Sequence, residues 1–223
     1  MKIYSKKNVF DSAMDRIRWI FKEFDGNVVC GFSGGKDSTV VMEMALMVVK
    51  ELQEQGKLPK DYKLKVMWLD QEAEWTETCN YCKRVMQRPE IDFYRMQLPF
   101  RLSNNATLVG DNYLHCWDES LSDDQLCQPR DKDAYNRLYL DKKKKSGEYL
   151  EFKDRFHDVF ENIYSWIFEG KKYAVLQGLK ANENTRRNLQ LTYQTGYKNI
   201  TWSCISGINN EGVLPGGLKL QRK

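Results

Sequence analysis

Histidine is nearly missing from this chain: His115 and His157 are the only two, neither stands in a nucleophile setting, and serine–histidine hydrolysis finds no support. Long apolar runs are missing too. None approaches the roughly 18 to 20 residues of a spanning helix, and the polar start from Met1 to Lys7 has no apolar signal core. A cytoplasmic protein without a membrane segment is the expectation. Charge of one sign is not in excess, with 35 basic residues against 31 acidic and a net charge of +4, too even to argue for a nucleic-acid protein. The one local block, the four lysines at 142–145, reads as a solvated loop or as a contact for a polyanion. No internal repeat, linker or further low-complexity tract occurs.

What is present is a globular composition, 41% hydrophobic and 30% charged over 223 residues, which suits one α/β domain with an embellishment. Helical spacing runs through 9–24 and is closed by Asp25 and Gly26. Apolar strand-like runs follow at 27–31, 65–69, 91–98 and 173–178, separated by helical stretches at 39–52, 76–87 and 156–168. Strands alternating with helices predict a parallel sheet, here of about five strands with helices on both faces. Between 99 and 150 no period persists; Asn, Asp, Ser and Lys are mixed with Tyr113, Trp117, Tyr135 and Tyr139. Long irregular segments in compact domains are functional lids or loose loops. This one is expected to cover the site as an insertion in a single domain, 1–223.

The densest signal is Ser33-Gly34-Gly35-Lys36-Asp37-Ser38, placed between the first strand and the next helix. Adjacent glycines let backbone amides turn toward one point, and a helix beginning near Asp37 adds unpaired N–H groups and a positive dipole end. An anion is expected there, with Asp37 or Ser38 also available as an ordinary N-cap. The common phosphate loop does not fit, because it needs four residues between its glycines and Ser or Thr after its lysine. A Cβ at Gly35 is expected to intrude where the amides approach a phosphate.

This string resembles the PP-loop of the ATP pyrophosphatase superfamily, in its phosphoadenosine phosphosulfate (PAPS) reductase-like branch. The resemblance extends to Gly178-Leu179-Lys180-Ala181-Asn182-Glu183-Asn184-Thr185-Arg186-Arg187, similar to a late-strand signature of that branch with Gly178, Glu183 and Arg187 in register. Lys180 stands where Arg is usual and Asn184 where Ser is usual; lysine keeps the charge but not the two-pronged grip on phosphate or sulfate. More weakly, Asp70 ends the second strand, where relatives place an acidic residue for the nucleoside. His115-Cys116-Trp117-Asp118 and Gln128-Pro129-Arg130 resemble segments of a subgroup often encoded beside a ParB-like partner.

The resemblance implies a Rossmann-like adenine nucleotide α-hydrolase fold that binds ATP or a PAPS-like nucleotide with Mg2+. Ser33, Gly34, Gly35 and Ser38 would cradle the pyrophosphate and Lys36 would offset its charge. Asp37 would cap the helix or hold the metal, Asp70, Gly178 and Glu183 would complete the nucleotide site, and Lys180 and Arg187 would clamp developing negative charge. The branch's reductases use a cysteine in a Glu-Cys-Gly-Leu-His segment, which does not occur in these residues, so cleavage of the α–β linkage of ATP with adenylation of an acceptor is the leading expectation. A sulfonucleotide reductase and a catalytically silent regulatory subunit are the alternatives. Among the six cysteines, Cys79 and Cys82 lie three apart on a predicted helix face, as small hydrophobes or as a metal or cluster pair; the first is the expectation. Cys204, among neutral neighbours, reads as structural.

Overall fold

Alternation along three short apolar runs sorts the core into two layers. The computed structural model describes residues 7–103, 113–135, 156–180, 197–200, 203–205 and 218–222. In β1 (Val28–Gly31), Val28 and Cys30 join one buried cluster and Val29 the other. In β2 (Leu64–Leu69), Leu64, Val66 and Trp68 face the first cluster while Met67 and Leu69 face the second. In β6 (Ala174–Lys180), Ala174 and Leu176 separate from Val175 in the same way. Strands covered on both faces are why these segments read as unbroken apolar runs.

The sheet has the order β3-β2-β1-β6-β8-β7, with β3 at Ile91–Met96, β8 at Leu218–Arg222 and β7 at Ser203–Ile205. Its first five strands run parallel and β7 is antiparallel to β8. The expected parallel sheet of about five strands is therefore present, with one antiparallel edge strand added. The first layer holds α1 (Val9–Glu23), α2 (Lys36–Glu54) and α3 (Thr76–Met86), and the second holds α4 (Phe156–Ile167). Helix α1 shows why local sequence suffices for some elements: Met14, Ile17, Ile20 and Phe21 recur on its buried side, and the Asn8 side chain accepts from the Asp11 N–H at 2.8 Å as an N-cap.

The segment 99–150 is not wholly irregular, which corrects the sequence reading. Strands β4 (Phe100–Ser103) and β5 (Tyr113–Cys116) pair antiparallel as a separate two-stranded sheet. Four residues each are too few for a period-2 pattern to stand out. Further on, Tyr135 forms a parallel bridge to Met96, its N–H donating to the Arg95 carbonyl at 2.8 Å while the Gln97 N–H donates to the Tyr135 carbonyl at 3.0 Å. This short addition covers the β3 edge, which would otherwise present unpaired backbone groups.

Candidate functional site

The carboxyl ends of β1, β2 and β6 lie at one edge of the sheet, and the strand order turns there. Chain from β1 goes to α2 and from β2 to α3, while β6, next to β1 in the sheet, arrives from the other layer through α4. Such a switch point leaves a crevice where ligands bind in open α/β sheets.

The glycine loop lies in that crevice. Helix α2 starts at Lys36, slightly earlier than expected, and its N-cap is Gly35, with no side-chain cap hydrogen bond. Neither Asp37 nor Ser38 caps it: both lie inside the first turn. Ser38 is 8% exposed, and its hydroxyl donates to the Gly35 carbonyl at 2.9 Å and accepts from the Ser33 N–H at 3.3 Å. Because that hydroxyl proton is committed, the Ser33 hydroxyl, 3.2 Å away, is the donor between the two serines. Ser38 thus braces the loop from inside, while Ser33, Gly35 and Lys36 are exposed at its outer surface. The first-turn amides have no carbonyl four residues back to accept from them, and the dipole adds positive potential.

The two glycines differ. Gly34 has φ +69°, and a Cβ there would lie 2.9 Å from Thr78 Cγ2 and 3.0 Å from Cys82 Sγ on α3. Gly35 has φ −77°, and a Cβ would meet only the Ser33 hydroxyl, at 3.4 Å. The protein's own packing therefore demands glycine at 34; at 35 any such demand comes from a ligand. A third close approach joins the two halves of the site. At Gly178, where β6 shifts register against β8, a Cβ would fall 2.7 Å from the Asp37 carbonyl carbon and oxygen and 3.0 Å from the Ser38 nitrogen. A glycine at an irregularity in a strand commonly marks such an approach of backbone to backbone. Lys180 ends β6 two residues on, about 7 Å along the strand. Glu183 and Arg187, with Asn184, lie outside the described residues, as do the lysines at 142–145.

Asp70 follows β2 as expected but does not face a ligand. It has no exposed surface, and its Oδ2 accepts from Arg95 Nε at 2.9 Å, Arg95 Nη2 at 2.6 Å and Gln97 Nε2 at 3.2 Å. Its Oδ1 accepts from the Glu72 N–H at 3.0 Å and Gln128 Nε2 at 3.1 Å. A ribose hydroxyl has no route to this carboxylate, so direct nucleoside binding by Asp70 is corrected to an internal role. The network docks the insertion. Trp117 Nε1 donates to the Asp70 carbonyl at 2.6 Å, and the carboxylate of Glu72, a residue held at φ +64°, accepts from the Trp117 and Cys127 N–H groups at 2.5 and 2.9 Å. Arg95, stacked 4.9 Å from the Trp68 ring, also bonds Asp131 at 2.7 Å. Buried charges are stable only when so fully paired.

Cys79 and Cys82 are buried on α3 as expected, with Cys82 directly beneath Gly34. Burial pushes the Cys82 and Cys116 thiols up to about 12 and raises Cys30 and Cys79 as well. Cys127 is exposed, but partial burial and the Glu72 carboxylate raise it too. Among the described residues no group of three or more His, Cys, Asp and Glu could hold a metal ion. Two residues at this edge carried no role in the sequence reading. Glu74 is half-buried, its carboxyl raised by burial and by the Asp70 charge. Trp75 is 79% exposed and is the N-cap of α3, which like α2 has no side-chain cap hydrogen bond. Only the run of acidic residues before α3 hinted at them, and it reads equally as a helix start.

A family model described as the phosphoadenosine phosphosulfate reductase domain matches residues 27–200. Similar solved structures include Candida glabrata FMN adenylyltransferase in complex with FAD and inorganic pyrophosphate, at 13% identity and a TM-score of 0.49, over 99% of this chain and 55% of that one. Yeast FAD synthetase in complex with FAD aligns at 12% identity and a TM-score of 0.43, over 98% of this chain and 56% of that one. Phosphoadenylyl-sulfate reductase from Candida auris, a phosphate complex, aligns at 12% identity and a TM-score of 0.36, over 99% and 81%. The chain thus spans little more than half the length of the adenylyltransferases. No curated protein matches it, and among the described residues no helix is long and apolar enough to cross a membrane.

Proposed function

The chain belongs to the phosphoadenosine phosphosulfate reductase domain family, and on that premise we propose that it binds ATP or a related adenine nucleotide, cleaves the α–β phosphate linkage and adenylates an acceptor in the cytoplasm. The observation that carries the reading is the uncapped start of α2 at the switch point, with Gly178 of β6 set against its first turn. Loop amides and the helix dipole suit a polyphosphate. In the reaction the acceptor oxygen attacks the α-phosphorus, the α–β P–O bond breaks, and pyrophosphate leaves with the bonding electrons while the acceptor's proton passes to solvent. Ser33, Gly34 and Gly35 hold the departing pyrophosphate and Lys36 offsets its charge. Lys180 and Arg187 would clamp the developing negative charge, with Glu183 completing the nucleotide site, as the family resemblance implies.

Mg2+ is bound through one or two carboxylates plus substrate phosphates rather than by an all-protein cage. A single carboxylate beside the phosphate loop is therefore a sufficient protein donor, and Asp37 in the first turn supplies it. The ion would neutralise charge building on the leaving group. The part of 99–150 that packs against Asp70 and Glu72 anchors a lid over this edge.

The described thiols favour adenylation over the reductase alternative. A thiol attacks sulfur as the thiolate, which needs a lowered pKa, and Cys30, Cys79, Cys82, Cys116 and Cys127 are all raised. A ParB-like partner, and with it a silent regulatory subunit, rests on sequence resemblance alone, and a nucleic-acid contact on the lysine block at 142–145 alone.

The test runs pyrophosphate release from ATP and Mg2+, over a panel of acceptors, beside sulfite release from PAPS with a thiol donor. Nucleotide at about a hundred times its Kd adds roughly 2.7 kcal/mol, a Tm rise of about 5 to 11 °C. Lys36→Ala and Arg187→Ala should each reduce pyrophosphate release on the order of a hundredfold, and Cys204→Ser should leave it within a few-fold. Cysteine-dependent sulfite release without pyrophosphate would establish the reductase; binding without either product would establish the silent subunit.

A further inference from the structure

We infer that Trp75 is the stacking platform for the adenine ring of the nucleotide whose phosphates occupy the glycine loop, an inference that rests on the nucleotide reading of that site. Three observations converge on it. Trp75 is 79% exposed, more than any other large apolar side chain among the described residues, so it contributes nothing to the core. It occupies the N-cap of α3 without a side-chain cap hydrogen bond, a position where Ser, Thr, Asp and Asn stabilise a helix and an indole does not. The sequence thus forgoes local stability at this residue, as happens where a site needs a particular side chain.

Position supplies the third. Thr78 and Cys82 of α3 carry the atoms a Cβ at Gly34 would strike, at 2.9 and 3.0 Å, and Trp75, in extended conformation, immediately precedes that helix. Trp75 stands three residues before Thr78, at the start of α3 and on the sheet edge where β2 ends and ligands gather. It therefore stands at the end of α3 whose first turn meets the phosphate loop. The Asp70 carboxylate at the end of β2 does not read the nucleoside, because it is sealed by Arg95, Gln97 and Gln128. A flat aromatic face supplies what that carboxylate does not, since every base presents a π-face to stack on.

The experiment compares inorganic tripolyphosphate with the non-cleavable analogue α,β-methylene-ATP, by calorimetry on the full chain, for the wild type, Trp75→Ala and Trp75→Phe. Tripolyphosphate reads the loop alone, and the analogue reads loop and base together. Trp75→Ala should weaken the analogue about five- to a hundredfold, the range for losing one base-stacking partner, and leave tripolyphosphate unchanged; Trp75→Phe should recover most of the loss. The analogue should also quench indole fluorescence in the wild type more than in Trp75→Phe. Equal affinity of Trp75→Ala and wild type for the analogue overturns the stacking role while the loop reading stands. Equal weakening of both ligands overturns it as well, by showing an effect through the loop. A wild type that binds neither ligand overturns the nucleotide reading itself.

Discussion

Gly34→Ala tests the packing of the loop with no ligand present. The substitution carries two separable costs. At φ +69° an alanine sits in the left-handed region, worth roughly 1–2 kcal/mol. Its Cβ also meets Thr78 Cγ2 at 2.9 Å and Cys82 Sγ at 3.0 Å. Both atoms belong to a helix whose Cys79, Cys82 and Val85 are buried, so α3 cannot move aside freely, and overpacking of this kind costs roughly 1–3 kcal/mol. Together about 2–5 kcal/mol is expected, or a Tm fall of about 4 to 20 °C in a chain of this size. Gly35→Ala has ordinary dihedral angles and only the Ser33 hydroxyl nearby, and should cost about 1 kcal/mol or less, the scale of an N-cap change. Thermal melts of the two variants give the comparison. Adding Thr78→Ser, which removes the colliding methyl, should restore part of the contact cost in the Gly34→Ala background and none of the dihedral cost, a coupling readable by a double-mutant cycle. If Gly34→Ala melts with the wild type, or Gly35→Ala is the more damaged variant, the packing argument is wrong.

Arg95→Met should cost about 3–5 kcal/mol, because it leaves the fully buried Asp70 carboxylate without its cation; adding Asp70→Asn should return much of this, and chemical denaturation of the single and double variants decides it. A second expectation concerns acid. Glu23, at the end of α1, accepts from Tyr197 Oη and Lys198 Nζ, each at 2.6 Å, and from Lys172 Nζ at 3.2 Å. Those bonds, Lys198 first and Tyr197 next, hold its carboxyl well down, at about 2 against an ordinary 4.5. A depressed carboxyl contributes stability above its unfolded pKa and loses it as the pH falls through the folded one. The wild type should therefore outlast Glu23→Gln in melts above about pH 4.5, with the gap closing toward pH 2. Screening at this half-open site keeps the gap to about 1 kcal/mol or less, and a gap that persists unchanged to pH 2 refutes the assignment.

Much of the architecture could be read from local pattern because the pattern is its physical cause. Helix α1 was legible since apolar residues recur at helical spacing until Asp25 and Gly26 close it, and β1, β2 and β6 since strands buried on both faces must be apolar throughout. The glycine loop was legible because few other arrangements need two glycines and a lysine between a strand and a helix. Strands β4, β7 and β8 were missed, being only three to five residues long and stabilised by partners distant in the sequence. The sequence reading also placed the sensitive glycine at 35, because it considered the ligand and could not include α3.

By itself, then, the amino-acid order determined the family, the parallel α/β plan and the place of the anion loop, since each depends on residues close together in the chain. Only the tertiary structure decided which groups face the crevice. Asp70 looked available at a strand end until Arg95 and Gln128, remote in sequence, were seen to enclose it. Gly178 mattered as a signature residue until its contact with the Asp37 carbonyl showed it joining β6 to the start of α2. Trp75, unremarked in the sequence, gained meaning from its exposure at the start of α3, the helix whose Thr78 and Cys82 lie against Gly34. Burial and pairing are properties of distant residues brought together, and no local window contains them.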